Sequence, residues 1–158
     1  MLKKLSVLFA IGSVLVLAAC GGRAETTTVC VVNGINFYGE FFPGYMETEF
    51  EAVGDRVSVM RERLIFDFAG EEDSIDALVE ILEAEIDLLR MMLVDGMTTE
   101  LTSITDTTVT WETTSNFDEM SEEDLNTFLQ DYDFISLEAS VELNEEETGA
   151  TCTVVDND

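Results

Sequence analysis

The chain has 158 residues, with 34 Asp or Glu against seven Lys or Arg and no histidine, for a formal charge of −27. That excess of carboxylates argues against nucleic-acid binding, which needs cationic groups to displace counterions, and against docking on anionic headgroups. Without histidine there is no Ser-His or Cys-His nucleophile pair, and with only three cysteines the usual zinc ligand sets are missing as well.

Lys3 and Lys4 precede an uncharged run from Leu5 to Ala19. Fifteen residues make a helix of about 22 Å, short of the roughly 20 residues that span a bilayer core. The run reads as the apolar region of an export signal behind a basic start, with a short uncleaved membrane anchor as the alternative. It ends in Leu17-Ala18-Ala19-Cys20, a branched apolar residue, two small residues and a cysteine. This is the lipobox pattern of bacterial prolipoproteins. Residues 1–19 are then a cleaved signal peptide, and the Cys20 thiol takes a diacylglyceryl group as a thioether. Residues 20–26 form the lipidated tether, 27–155 one domain, and 156–158 an acidic tail. The expected location is the outer face of the bacterial cytoplasmic membrane, with the lipid on Cys20 as the membrane contact. Cleavage leaves 139 residues carrying five arginines, no lysine and all 34 acids, a formal −29. No basic patch remains to hold a membrane. The acids read as a solvated surface suited to high salt or, in the sharper reading, as a means of binding cations.

With Cys20 committed to lipid, Cys30 and Cys152 remain as an even pair. In an exported chain they read as a disulfide, or otherwise as two separate buried thiols. Asn33-Gly34 lies between the β-prone runs TTTVCVV and INFYGEFF, which predicts a two-residue hairpin turn. That turn would set Val32 opposite Ile35 and Cys30 opposite Phe37, with Cys30 facing inward. Pro43-Gly44 reads as a chain break. Met46, Thr48, Phe50 and Ala52 then alternate with Glu47, Glu49 and Glu51 as a half-buried strand. Gly54-Asp55 predicts the next turn, pairing Ala52 with Val57 and Phe50 with Val59. A bulge near Met60 to Glu62 would account for the change of phase to Leu64, Phe66 and Phe68.

Ser74 to Gly96 carries the best helix pattern, with Ile75, Leu78, Leu82, Ile86, Leu89 and Leu93 at three- and four-residue steps. Asp73 or Ser74 would cap it, Gly96 would end it, and Met91-Met92 would fill the core. Met97 to Phe117 is Thr-rich and β-prone. Ser121-Glu122-Glu123-Asp124 resembles a capping box, starting a short helix that buries Leu125, Phe128 and Leu129. From Ile135 to Gly149 the pattern suits a strand and a helix equally.

The ordered set is a lipobox, a first strand with Cys30, a hairpin around Gly54-Asp55-Arg56-Val57, an amphipathic helix, a Thr-rich β segment, NFDEMSEEDLNTFL, and Gly149 to Cys152. It resembles the YehR-like family of small bacterial lipoproteins over roughly Thr26 to Cys152. The resemblance implies an α+β fold: an antiparallel β-sheet built from hairpins, with one long amphipathic helix and one or two short helices packed on one face. It favours a helix for Ser136 to Thr148 and implies no activity, since the family is a domain of unknown function. Its members are usually Lys-rich, and this mature chain has no lysine.

No Walker A or GxGxxG pattern occurs, and Asp95-Gly96 and Asp131-Tyr132-Asp133 do not build a calcium loop. Glu71-Glu72-Asp73 and Glu145-Glu146-Glu147 read as polar helix ends, with Ca²⁺ binding as the alternative. Arg61 and Arg63 read as partners of neighbouring acids, with a clamp for a ligand carboxylate as the alternative. The expectation is a monomeric, non-enzymatic lipoprotein that binds or scaffolds an envelope partner, with no catalytic residue, metal site or cofactor. A cation- or small-ligand-binding lipoprotein and a paired-carboxylate hydrolase are the competing readings.

Overall fold

A computed structural model describes residues 25–37, 39–69, 75–129 and 133–155. Leu17, Ala18, Ala19 and Cys20, the run Glu71 to Asp73, the cap at Asp73 or Ser74, and the tail 156–158 lie outside the described residues. Strands β1 (Glu25–Phe37), β2 (Glu40–Val53) and β3 (Arg56–Asp67) come first, followed by helix α1 (Ile75–Arg90). Then come β4 (Met97–Ile104), β5 (Thr108–Asn116), helices α2 (Glu122–Leu129) and α3 (Leu137–Leu143), a π-helical turn (Asn144–Thr148) and β6 (Thr151–Val155). The strands form one open antiparallel sheet in the order β4-β5-β3-β2-β1-β6. The fold class is therefore α+β. β1 starts at Glu25, so the strand takes in the last residues assigned to the tether.

Asn33-Gly34 is not the first turn. β1 runs straight through it and pairs with β2 from Glu25–Val53 to Phe37–Glu40. Gly34 has φ of 83° and marks a register shift between Asn33 and Ile35. Core packing explains the difference. Ile35 is buried, and the Phe37 ring meets Trp111 and Phe66 edge-on at 5.8 and 6.3 Å. A turn at Asn33-Gly34 would carry both away from those partners. Cys30 accordingly faces Thr48 and Cys152 rather than Phe37. Pro43-Gly44 does not break the chain either; both lie inside β2, at the same irregularity, where Pro costs the ladder least. A Cβ on Gly44 would come 2.0 Å from the Ile65 carbonyl oxygen, so β3 crosses too close for any side chain there.

Thr48, Phe50 and Ala52 are buried, as their alternation predicts. Ala52 pairs with Val57, but Phe50 pairs with Met60 rather than Val59. The bulge is two residues earlier than the start of the expected stretch, at Ser58, where the Ser58 carbonyl accepts from the Phe117 N–H and its hydroxyl donates to the Glu51 carbonyl. From there Met60, Glu62, Leu64 and Phe66 share the face of Phe50.

That face carries the helices and two apolar clusters. Ile35, Phe66, Val109 and Trp111 pack with Ile75, Leu78, Leu82 and Ile86 of α1. Cys30, Phe50, Ala52 and Val57 pack with Phe117, Met120 and Ala150, and with Leu125, Leu137 and Val141 of α2 and α3. α1 stops at Arg90, six residues before Gly96, closed by short-range bonds from the Met91 and Met92 N–H groups to Leu88 and Leu89. Gly96 instead enters β4, its carbonyl accepting from Asn116. Met91 and Met92 are 75% and 65% exposed, so they fill no core. Phe128 likewise stays 44% exposed, edge-on to Phe117. Ser121 caps α2 through the Asp124 N–H, while its hydroxyl donates to the Asp124 carboxylate.

From Leu137 to Thr148 the chain is helical, as the resemblance implies. Ser136 caps α3 by accepting from Ala139, and the π-helical turn ends at Gly149 with φ of 71°. The turn Gly54-Asp55 supplies the rest of the cap: Asp55 accepts from the Glu138 N–H at 2.9 Å and the Ser136 hydroxyl at 2.8 Å. Those bonds, the Glu138 N–H foremost, hold the Asp55 carboxyl below its ordinary pKa. Its contribution is therefore present above the ordinary carboxylate range and is lost as pH falls through its lowered pKa.

Candidate functional site

Cys30 on β1 and Cys152 on β6 are direct cross-strand partners and form a disulfide across 122 residues of sequence. Cys30 is 2% exposed, inside the second cluster. The bridge ties the first strand to the last at one edge of the sheet. Outside it, β6 and the α3 helical segment border a groove of about 610 Å³ with Glu138, Glu142, Glu145 and Glu146 along its rim. All four are exposed.

Among the described residues, the opposite face of the sheet carries no helix. At its centre, Arg61 and Arg63 stand on β3 between β2 and β5. Arg63 donates to Glu112 at 2.6 Å through Nε, and through Nη1 to Glu47 at 2.6 Å and Glu49 at 3.0 Å. Arg61 donates to Glu49 at 2.6 Å and also to Glu51. Cross-strand register makes the ladder, since Glu47 lies opposite Arg63 and Glu49 opposite Arg61 on one side, and Glu112 opposite Arg63 on the other. The side chains are 17 to 40% exposed, so the network is half-desolvated. Burial alone would lower the Arg63 pKa, but bonds to Glu112, Glu47 and Glu49 override it and raise it. For Arg61 the Glu51 bond is the main cause of the same shift. Both guanidiniums are thus held by the chain's own carboxylates, as pairing with neighbouring acids predicts; Arg63 engages them through Nε and Nη1, Arg61 through Nη1.

Glu62 is a residue that pattern reading missed. It points to the helix-bearing face between Met60 and Leu64, opposite Thr48 on β2 and Thr113 on β5. Thr113 bonds Thr99 at 3.0 Å, and Thr99 accepts from Trp111 Nε1 at 2.7 Å. A polar belt thus crosses the sheet between the two apolar clusters. Glu62 keeps more than a third of its surface open to solvent, yet surrounding protein atoms push its carboxyl pKa up. The signal was present in the sequence as a lone acid in the Met60, Leu64, Phe66 phase, visible only once the bulge is placed at Ser58. A raised pKa favours the folded state below the ordinary carboxylate value and loses that advantage as pH rises through the shifted one. Glu62→Gln is therefore expected to stabilise the fold at pH 7 by less than about 1 kcal/mol given its solvent exposure, seen as a small rise in melting temperature, and to give no gain at pH 4. Thermal melts at the two pH values check this.

Its cross-strand neighbours are threonines, so no second carboxylate faces Glu62 from the adjoining strands as paired-acid hydrolysis requires. Among the described residues no group of three or more His, Cys, Asp or Glu is arranged to hold a metal ion. Among them, too, no helix is long and apolar enough to cross a membrane.

The architecture defines a class: a six-stranded open antiparallel sheet, with its first and last strands adjacent and its apolar clusters on the helix-bearing face. Among solved structures, the NMR structure of the YehR protein of E. coli is similar, with a TM-score of 0.57 at 15% identity over 87% of this chain and 96% of that one. An NMR structure of a protein from Streptococcus pneumoniae TIGR4 is similar over 85% of this chain and 88% of that one, with a TM-score of 0.51 at 10% identity. The fold is YehR-like. No protein-family model and no curated protein sequence matches the chain.

Proposed function

We propose that the protein is exported and anchored by lipid on Cys20 at the outer face of the bacterial cytoplasmic membrane. There its α+β domain serves a binding or scaffolding role rather than an enzymatic one. The observation that carries this reading is the pairing of Cys30 with Cys152. It accounts for two of three cysteines and leaves Cys20, at the end of the lipobox, as the one thiol outside the bridge. Structural disulfides belong to oxidising compartments, in keeping with an export signal. Four residues separate Cys20 from β1, so an anchored domain would sit within about 18 Å of the bilayer surface, given about 3.5 Å per extended residue. The lipid is the membrane contact in this reading, and one diacylglyceryl group supplies the two chains that stable anchoring takes.

Cells fed radioactive palmitate are expected to label the parent chain and not Cys20→Ala, with the variant released from the membrane fraction. Equal labelling of the two would end the proposal.

A further inference from the structure

Helix α1 has two apolar stripes, and the sheet uses only one. Ile75, Leu78, Leu82 and Ile86 are buried against the sheet. Roughly 145° around the axis, at 100° per residue, lie Ala77, Ile81, Ala84 and Leu88, extended by Met91 just past the last helical residue. Their spacing of four, three, four and three is that of a coiled-coil seam. Ile81 is 56% exposed, Leu88 48%, Met91 75% and the adjoining Met92 65%. The two alanines are exposed as well. Small residues alternating with large ones would let a second helix axis approach to about 8–10 Å. Toward the start of α1 the seam opens into an apolar groove of about 350 Å³, where Ala77 and Ile81 meet Phe37, Phe42 and Phe68. A continuous exposed apolar strip of this kind on an otherwise acidic protein marks an interaction surface.

The borders of the seam identify its occupant. Glu80 and Asp87 flank it on one side and Glu85 on the other, at the positions that face a partner's flanking residues in a helix pair. The helix carries one basic residue, Arg90, which lies away from the seam and bonds Asp87 and the Thr99 carbonyl. A second copy of this chain would set acid against acid, and an anionic bilayer would be repelled. We propose that the seam docks an amphipathic helix of a partner protein whose apolar stripe is bordered by lysine or arginine. The proposal names the partner class for the binding role above and does not depend on the lipid.

The test uses the full chain in phosphatidylcholine nanodiscs and two fluorescent peptides of equal length and charge. One is a helix with leucine at the seam positions and lysine at the flanking ones; the other has the same residues scrambled. The seamed peptide is expected to bind at least tenfold more tightly by anisotropy. Ile81→Gln/Leu88→Gln, at exposed positions that leave the melting temperature unchanged, is expected to remove that advantage. Equal binding of the two peptides would show simple polyelectrolyte attraction and overturn the proposal. So would seamed-peptide binding that survives the double variant. Self-association of the unliganded chain that the double variant abolishes would assign the face to a second copy instead. Anchoring is read separately by palmitate labelling, so failure of one reading is not failure of the other.

Discussion

Replacing both Cys30 and Cys152 with alanine is expected to lower the melting temperature by about 15–20 °C. The bridge closes a loop of 122 residues, almost the whole domain. Loop-closure entropy puts its stabilisation near 5 kcal/mol, and a domain of this size loses a few degrees per kcal/mol. The double variant separates the covalent constraint from any cost of leaving one buried thiol unmatched. Reduction of the parent chain with dithiothreitol should reproduce the shift, and calorimetry with and without the reductant checks it. A shift of only a degree or two would mean that β6 holds its place through the ladder alone.

The second large effect is expected at Arg63. Its guanidinium donates to Glu47, Glu49 and Glu112, on strands either side of β3. Arg63→Met keeps much of the alkyl packing but leaves three carboxylates together on a half-desolvated face. The expected cost at pH 7 is about 1–3 kcal/mol, below the roughly 3–5 for a fully buried pair because these side chains keep some solvent. Salt screens the repulsion left among the three carboxylates, so molar NaCl should narrow the gap between variant and parent at pH 7. Arg63→Lys should recover only part of the loss, since one ammonium cannot span the three carboxylates as a planar fork does. Urea melts of the three chains at low and at molar NaCl measure this. A loss equal at both salt concentrations would assign the effect to packing.

Much of the sheet was legible because alternation on a half-buried strand is a strong signal. Glu47, Glu49 and Glu51 opposite Thr48, Phe50 and Ala52 left one assignment for β2. Gly54-Asp55 was legible as a turn, though its second role, as a cap for α3, joins residues more than 80 positions apart and has no local trace. Local turn chemistry misled where tertiary packing opposed it. Asn33-Gly34 is a strong hairpin signal, yet Ile35 and Phe37 stabilise the fold more by reaching Trp111 and Phe66 than a turn there would. Met91-Met92 looked like core because hydrophobicity counts the same on either stripe of a helix. Only the sheet's position shows that Leu82 lies beneath α1 and Ile81 outside it. β6 was not read as a strand, because five residues ending in a polar tail carry little periodicity; its pairing partner, β1, lies at the other end of the chain. As for the candidate site, pairing of Cys30 with Cys152 and of Arg61 and Arg63 with acids followed from counting residues. Glu62 required the bulge to be located to the residue.

The adjacency of β1 and β6 also bears on how the domain would carry mechanical load. A domain held through Cys20 is pulled at the start of β1, and tension there would peel that strand from its neighbours one residue at a time. Peeling can advance only five residues, from Glu25, before it meets Cys30. From there the covalent link shares the force between β1 and β6, so that unravelling the first strand any further requires drawing both strands out of the sheet together.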